Sequence, residues 1–280
     1  MNNRPVIYLD NHLVITKEAC IAPDDCGFLY GEGLFETLRA EQGCPVRLER
    51  HLRRLRRSLD FLGLPKPARL PETMAICQEL LRGNGLLEQS SVIKIIVSRR
   101  ADLPPAPTTL IVTAKPLDLK AITRRRTGMR ARLIPWRRDR HNPLLGHKSL
   151  NYLENRIALR KCRALGFDEG IFLNQEGELC EGSFSNIFLL RRNTISTPPT
   201  TSGLLPGIIR EVLLEQGVRA GLKIRETRLR PSDLQEAEGA FLSSSLMGIA
   251  PLTELAGQTF NPDRTSAIRT RLDELLSEHR

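Results

Sequence analysis

Aromatic residues make up only 5% of the 280-residue chain, with one tryptophan and three tyrosines. That scarcity weakens any reading as a base-stacking platform for single-stranded nucleic acid. No apolar run approaches the ~18–20 residues that a membrane-spanning helix requires. The opening stretch MNNRPVIYLD has no basic region followed by a long apolar segment, so it does not read as a secretory signal and the expected location is cytoplasmic. The six cysteines, at 20, 26, 44, 77, 162 and 180, form no Cys-x-x-Cys pair, and no Cys/His cluster has metal-ligand spacing. They are expected to be reduced and packed, with no metal site.

Positive charge, by contrast, is plentiful. The net charge is +10, and arginines cluster in RLERHLRRLRR (47–57) and RRRTGMRARLIPWRRDR (124–140). Such clusters suit solvated faces, a nucleic-acid-binding module, or attraction of an anionic substrate or cofactor. Charge alone does not choose among them. Hydrophobic content of 40% and charged content of 26% are those of an ordinary globular protein.

The hydrophobic pattern predicts short strands over VIYL and LVIT, joined at Asp10-Asn11, and a strand over GLFETLRA on which Leu34, Glu36 and Leu38 alternate with Phe35, Thr37 and Arg39. Leu52, Leu55, Leu59 and Leu62 then recur at helical spacing until Gly63 and Pro65. A second helix fits 71–82, and strands fit VIKIIVS and TTLIVTA, separated by the proline-rich RRADLPPAP. Past a strand at MRARLIPW, Leu150, Leu153, Ile157, Ala158 and Leu165 predict one side of a helix that Gly166 stops. IFLN and SNIFLL read as strands, IIREVLLEQ as a helix, KIRETRL as a strand and PSDLQEAE as a helix. AFLSSS and PLTEL are further strands, and a helix over 263–278 closes the chain. The expected architecture is α+β in two domains: residues 1–118, a linker at 119–128, and residues 129–280.

A lysine ahead of a helix is most often a solvated charge, and Lys148 stands out only through its company. NPLLGHKSLNYLEN, GELCEGSFSNIF, LLPGIIRE and FLSSSLMGIAP follow one another in that order, with YGEGLFETLR and RLERHLRRL upstream. Together these motifs resemble the class IV pyridoxal-phosphate enzymes, of fold type IV and D-amino-acid aminotransferase-like. That family includes branched-chain and D-amino-acid aminotransferases and 4-amino-4-deoxychorismate lyases.

The resemblance implies pyridoxal 5'-phosphate as cofactor, with Lys148 as the Schiff-base lysine, a role that needs a primary amine able to lose its charge. Glu181 matches the acidic partner of the pyridine nitrogen. Arg54 matches the phosphate arginine, Gly207, Ile208 and Ile209 open a helix whose free N–H groups suit the phosphate, and Ser244 and Ser245 match a second phosphate contact. Tyr152 either faces the cofactor's ring hydroxyl or packs.

Tyr30, Phe35, Thr37 and Arg39 are expected to alternate toward a substrate pocket. Arg99 and Arg100 are either carboxylate ligands or strand-end charges. Thr37 is also a candidate proton donor. The Gly31-Glu32-Gly33 fragment opens a strand, so it is not a dinucleotide fingerprint. The family further implies a homodimer acting on a small anionic amino substrate, with its pockets between domains and near the subunit boundary.

Three features tilt the reading toward the lyase: Glu154 in KSLNYLEN, the form SSLMGIAP, and FETLR in place of the branched-chain FEG. Ser244, where the lyase form often has asparagine, and RADLPPAP in place of a glycine-rich turn stand against it. Aminotransferase activity remains the alternative.

Overall fold

Alternation along residues 33–41 puts every second side chain against leucine-rich helices, and this pattern organises the first of two units. The computed structural model describes residues 4–100, 108–219 and 221–278. Its chain divides into unit one, Met1–Leu119 with His147–Asn151, and unit two, Lys120–Gly146 with Tyr152–Arg280. Of the stretch 119–128, expected as a linker, Leu119–Thr127 is helical, and Ile122 is buried.

Among the described residues, unit one contains β1 (Val6–Leu9), β2 (His12–Ile15), α1 (Cys26–Tyr30), β3 (Gly33–Glu41), β4 (Cys44–Pro45), α2 (Leu48–Leu62), α3 (Thr73–Gly83), β5 (Ser91–Arg99) and β6 (Thr108–Pro116). The strands form an antiparallel sheet in the order β2-β1-β6-β5-β3-β4. Leu52, Leu55 and Leu59 of α2 are buried, as the helical spacing predicts, with Leu62 partly so; together with Leu48 they pack with Leu38, Ile93 and Ile95 of the sheet and Leu80 of α3. Each such leucine contributes roughly 1.5–3 kcal/mol by leaving water. Gly63, in the left-handed conformation at φ 63°, ends α2.

Unit two contains α4 (Leu119–Thr127), β7 (Met129–Arg138), α5 (Leu153–Ala164), β8 (Glu169–Asn174), β9 (Leu179–Gly182), β10 (Asn186–Arg191), β11 (Thr194–Thr197), α6 (Ile208–Arg219), β12 (Lys223–Glu226), β13 (Gly239–Ser244), β14 (Gly248–Leu255), β15 (Gln258–Thr259) and α7 (Pro262–Glu278). Its mixed sheet runs β12-β11-β10-β13-β14-β7-β8-β9, with β15 beside β14. The cross-strand pair Phe188 and Phe241 stacks at 4.7 Å and packs with Ile209 and Val212 of α6 and Leu272 of α7. On the other side of the unit, Ala158 and Cys162 of α5 pack against Ile134, Phe172 and Cys180.

Three local expectations differ from what is observed. The helix expected to include Leu150 begins at Leu153, because the backbone of 148–150 bonds to β3 instead. Leu153 and Leu165 are exposed, whereas Ala158 is buried as expected, together with Cys162. The helix expected over 231–238 is a single 3-10 turn, Pro231–Leu234, where Asp233 accepts from the Arg230 N–H at 2.6 Å before the chain enters β13. The short strands β9 and β11 were not anticipated. The described cysteines are all free thiols, and no helix among the described residues is long and apolar enough to cross a membrane.

Candidate active site

Lys148 owes its position to an unused sheet edge. β4 pairs only with Ala40 and Glu41 at the far end of β3. The backbone of 148–150 takes the near end. Phe35 N–H donates to the Lys148 carbonyl at 2.9 Å, Leu150 N–H donates to the Gly33 carbonyl at 2.9 Å, and Leu34 pairs with Ser149. The glycines of YGEG make room for this. A Cβ at Gly33 would stand 2.6 Å from the Val97 carbonyl oxygen and 2.7 Å from Leu150 Cδ1. Gly31, at φ 70°, takes an Asn151 side-chain bond on its carbonyl at 3.1 Å. These glycines serve close backbone approach.

On the face of β3 away from α2, Phe35 carries two ammonium groups over its ring. Lys148 Nζ stands 4.5 Å from the centroid and Lys94 Nζ 4.6 Å. Lys94 on β5 is the direct cross-strand partner of Thr37, so their side chains share that face. Sequence reasoning passed over Lys94, although a lysine inside the apolar run VIKIIVS was the available signal. Of the residues expected to alternate with Phe35 and Thr37, Tyr30 does not. It ends α1 rather than lying on the strand, and it is 71% exposed. Arg39 pairs with Glu41 and reaches Ser90 Oγ at 3.4 Å. Arg99 pairs with Glu32 at 2.6 Å, and Arg100 pairs with Asp10. The part of the expected proline-rich loop at residues 101–107 lies outside the described residues.

On the opposite face of β3, Glu36 is buried between Leu34 and Leu38. Its carboxylate accepts from Arg54 Nε at 2.8 Å and Nη2 at 2.6 Å, and it meets His51 Nδ1 at 2.6 Å. Burial alone would raise the Glu36 pKa, but Arg54 and His51 outweigh it and hold the group at about 2. Burial, only partly offset by Glu36, pushes His51 down, so at neutral pH its ring is neutral and donates through Nδ1. His51 also feels the charge of Lys148. Sequence reasoning missed Glu36, although an acid on the leucine face of a strand was visible. His147 stacks on Phe61 at 4.1 Å and bonds Ser58 Oγ at 2.8 Å, a packing role.

In unit two, β9 delivers Glu181, buried, with both oxygens engaged: Oε1 accepts from Arg138 Nη1 at 2.9 Å and Oε2 from Leu205 N–H at 3.1 Å. Arg138, at the end of β7, is itself buried. It donates to Glu154 and Asn155 at 2.9 Å each and lies over the Phe172 ring at 3.5 Å. Among the arginines of 124–140 it is a structural ion, not a solvated one. Glu154 also accepts from Trp136 Nε1 at 2.9 Å, and Tyr152 donates its hydroxyl to the Ser183 carbonyl at 2.9 Å. Tyr152 precedes α5 as its N-cap. Asn151, Tyr152 and Glu154 therefore have local structural partners, and their identities speak for the scaffold more than for the substrate.

The start of α6 forms a cradle. A Cβ at Gly207 would overlap Asn186 Oδ1, so only glycine lets the helix entrance lie against that side chain. Asn186 Nδ2 donates to the Leu205 carbonyl at 3.0 Å. Ile208 and Ile209 point their side chains into the core and leave backbone N–H groups for an anion. Ser243, cross-strand partner of Asn186 and so on its face, has a buried Oγ without a hydrogen-bond partner. An orphaned hydroxyl beside a glycine cradle at a helix entrance fits a phosphate group. Ser244 ends β13 and Ser245 follows in the turn.

The amino-transferase class IV family model matches residues 33–255. A putative branched-chain-amino-acid aminotransferase of Methanocaldococcus jannaschii is 31% identical over 98% of this chain and 96% of its own. The aminodeoxychorismate lyase of Bacillus subtilis is 30% identical over 89% and 86%. Among solved structures, a putative 4-amino-4-deoxychorismate lyase from Legionella pneumophila superposes with a TM-score of 0.86 at 29% identity, covering 95% of this chain and 97% of that one.

Proposed function

The chain belongs to the class IV aminotransferase family, a family of pyridoxal-phosphate-dependent enzymes of fold type IV, and from that premise we propose that it acts as a 4-amino-4-deoxychorismate lyase, releasing pyruvate and the folate precursor 4-aminobenzoate. Lys148 supplies the amine to which the cofactor's aldehyde is joined. Glu181, held by Arg138, pairs with the pyridine nitrogen. Arg54, the α6 entrance at Gly207 to Ile209, and the serines at 243–245 receive the phosphate. When bound, pyridoxal phosphate supplies an electron sink conjugated to the substrate's amino group.

The observation that carries the lyase reading is the Phe35 face. It gathers Lys148, a second cation in Lys94, and the Thr37 hydroxyl paired across from Lys94. Lys94 suits a substrate carboxylate. Lys148, as the neutral amine, takes the proton from the substrate's ring. The Lys148 ammonium so formed returns that proton, directly or relayed through the Thr37 hydroxyl, to the departing enolpyruvyl group, which leaves as pyruvate while the ring becomes aromatic.

The 31% identity with the M. jannaschii protein favours transamination as the second reading. The exposed apolar residues of α1, Phe28, Leu29 and Tyr30, support assembly as a homodimer. The holoenzyme mixed with aminodeoxychorismate should release pyruvate and 4-aminobenzoate, and with L-leucine or D-alanine alone should keep its aldehyde cofactor. Stoichiometric conversion of the cofactor to its amine form by either amino acid, with no 4-aminobenzoate released, overturns the lyase reading in favour of a transaminase. Borohydride should fix the cofactor covalently in the wild type but not in Lys148→Ala; fixation in that variant would overturn the lysine assignment.

A further inference from the structure

In unit two, Leu205 is held on both sides of its backbone. Its N–H donates to Glu181 Oε2 at 3.1 Å, and its carbonyl accepts from Asn186 Nδ2 at 3.0 Å. Asn186 belongs to the phosphate end of the site. It is the cross-strand partner of Ser243, whose buried Oγ has no hydrogen-bond partner, and a Cβ at Gly207 would stand 1.9 Å from Asn186 Oδ1. From Leu205 the chain reaches Gly207 through Pro206 alone. A proline ring fixes its own φ and confines the preceding residue to extended conformations. The link from Glu181 to the entrance of α6 is therefore short, stiff and pinned at Leu205. We propose that Asn186 is a positioning residue for the cofactor: by holding the Leu205 carbonyl it sets the spacing between the carboxylate that meets the pyridine nitrogen and the cradle that receives the phosphate. This rests on the reading of Glu181 and the α6 entrance as those two half-sites.

The remainder of the loop before α6 has anchors of its own. Ser202 Oγ donates to Glu178 Oε2 at 3.2 Å, and the Ser202 carbonyl accepts from Asn174 Nδ2 at 3.3 Å. Arg210 donates to the Pro198 carbonyl at 2.7 Å. These bonds hold the loop upstream of Gly203 without Asn186, so what Asn186 adds is local to Leu205–Gly207. A half-buried carbonyl that needed only a partner could take water. A donor from β10 ties it instead to the strand that pairs with Ser243. Two half-sites grip a joined ligand more tightly than its pieces only where their spacing matches the ligand, and spacing fixed in advance removes an ordering cost from binding.

A spacing role and a merely structural role differ in what they do to the pieces. Lost spacing leaves each half-site able to bind its own piece and weakens only the joined ligand. A general loosening of the unit weakens all of them.

The experiment measures the affinity of cofactor-free protein for pyridoxal phosphate, for pyridoxal, and for inorganic phosphate as a competitor, in wild type and Asn186→Leu. Leucine is close to asparagine in size and carries no donor. Asn186→Leu should lose about tenfold on pyridoxal phosphate, the size of one lost hydrogen bond, and change less than about twofold on either piece. Equal losses on pyridoxal and pyridoxal phosphate overturn the proposal, as does an unchanged affinity for pyridoxal phosphate. A loss on inorganic phosphate as large as that on pyridoxal phosphate also overturns it, since Asn186 would then shape the cradle alone. Should Asn186→Leu not fold, Asn186→Ala removes the same donor, needs no added room and carries the same readout. A loss confined to the joined ligand supports the proposal in that variant, and any other pattern overturns it. The underlying readings fail separately. A wild type without preference for pyridoxal phosphate over pyridoxal would sink the phosphate cradle, and a Glu181→Gln variant with unchanged affinity for pyridoxal would sink the role of Glu181.

Discussion

Glu36 in unit one and Glu169 in unit two are equally withdrawn from water, at 1% and 0% exposure, yet their titrations shift in opposite directions. Burial acts on both first and favours the neutral acid. In Glu36 the Arg54 cation and the His51 donor reverse it and hold the pKa at about 2. The hydrogen-bond partners of Glu169 are all dipoles, the N–H groups of Gly170 at 2.8 Å, Ser183 at 2.9 Å and Phe184 at 3.4 Å and the Ser185 hydroxyl at 2.8 Å, and the Arg125 cation acts on it without an ion pair. Burial wins there, and the pKa is raised. Depth sets the size of the penalty; the presence of a full positive charge in direct contact sets the sign of the outcome. The roles follow. Glu36 holds a charged group, whereas Glu169 clamps the Gly182–Ser185 turn that follows Glu181.

Removing the cation breaks the contrast most severely. Arg54→Met leaves Glu36 buried without its main partner, and a stranded buried charge costs about 3–5 kcal/mol. Chemical denaturation of the cofactor-free variant should show that loss, with Glu36 taking up a proton at higher pH than before. A loss below about 1 kcal/mol would mean that the ion pair does not hold this part of unit one together.

Acid sharpens the same contrast. The Glu36 pKa falls from 4.5 to about 2 on folding. Its contribution is therefore complete above the unfolded value and is lost as pH drops from there through about 2, on the order of 3 kcal/mol in all. Glu169 has the opposite sign. Its raised pKa favours the native state at low pH, and that contribution is lost as pH rises from the unfolded value through the folded one. Unfolding free energies measured against pH should thus lose part of their acid decline in Glu36→Gln. In Glu169→Gln they should lose part of the decline above the ordinary glutamate range. The same slope change in both variants would erase the distinction.

Much of this arrangement was legible in the chain. The leucine spacing of α2, the alternation of β3 and the glycine before α6 each express a local rule, and each is observed. Lys148 and Glu181 were visible through ordered motifs, though not through their own surroundings. What escaped depended on contacts distant in sequence. Glu36 was written on the leucine face, but its partners stand 15 and 18 residues away on α2, at positions that read as one basic stripe among several. Arg138 was lost among neighbouring arginines, because its partners Glu154, Asn155 and Glu181 lie 16, 17 and 43 residues on. The expected helix takes in Leu150 too early, because the edge that holds 148–150 belongs to β3, more than a hundred residues upstream.

The smallest effect is expected where dipoles already do what a charge does at Glu36. Glu169→Gln keeps one carbonyl oxygen for the Gly170 and Ser183 N–H groups. The new amide NH2 can donate to Ser185 Oγ, whose hydroxyl accepts as readily as it donates. Only the long 3.4 Å contact from Phe184 N–H lacks an acceptor afterwards. Because the native site already leans toward the uncharged acid, the amide resembles the form it prefers, and the cost near neutral pH should be about 1 kcal/mol or less. Glu169→Leu, which removes every acceptor from the turn, should cost more, about 1–3 kcal/mol. Denaturation midpoints of the two variants check this ordering. A loss in Glu169→Gln as large as that in Arg54→Met would mean that Glu169 is held as a charged carboxylate, and the contrast with Glu36 would then be one of degree only.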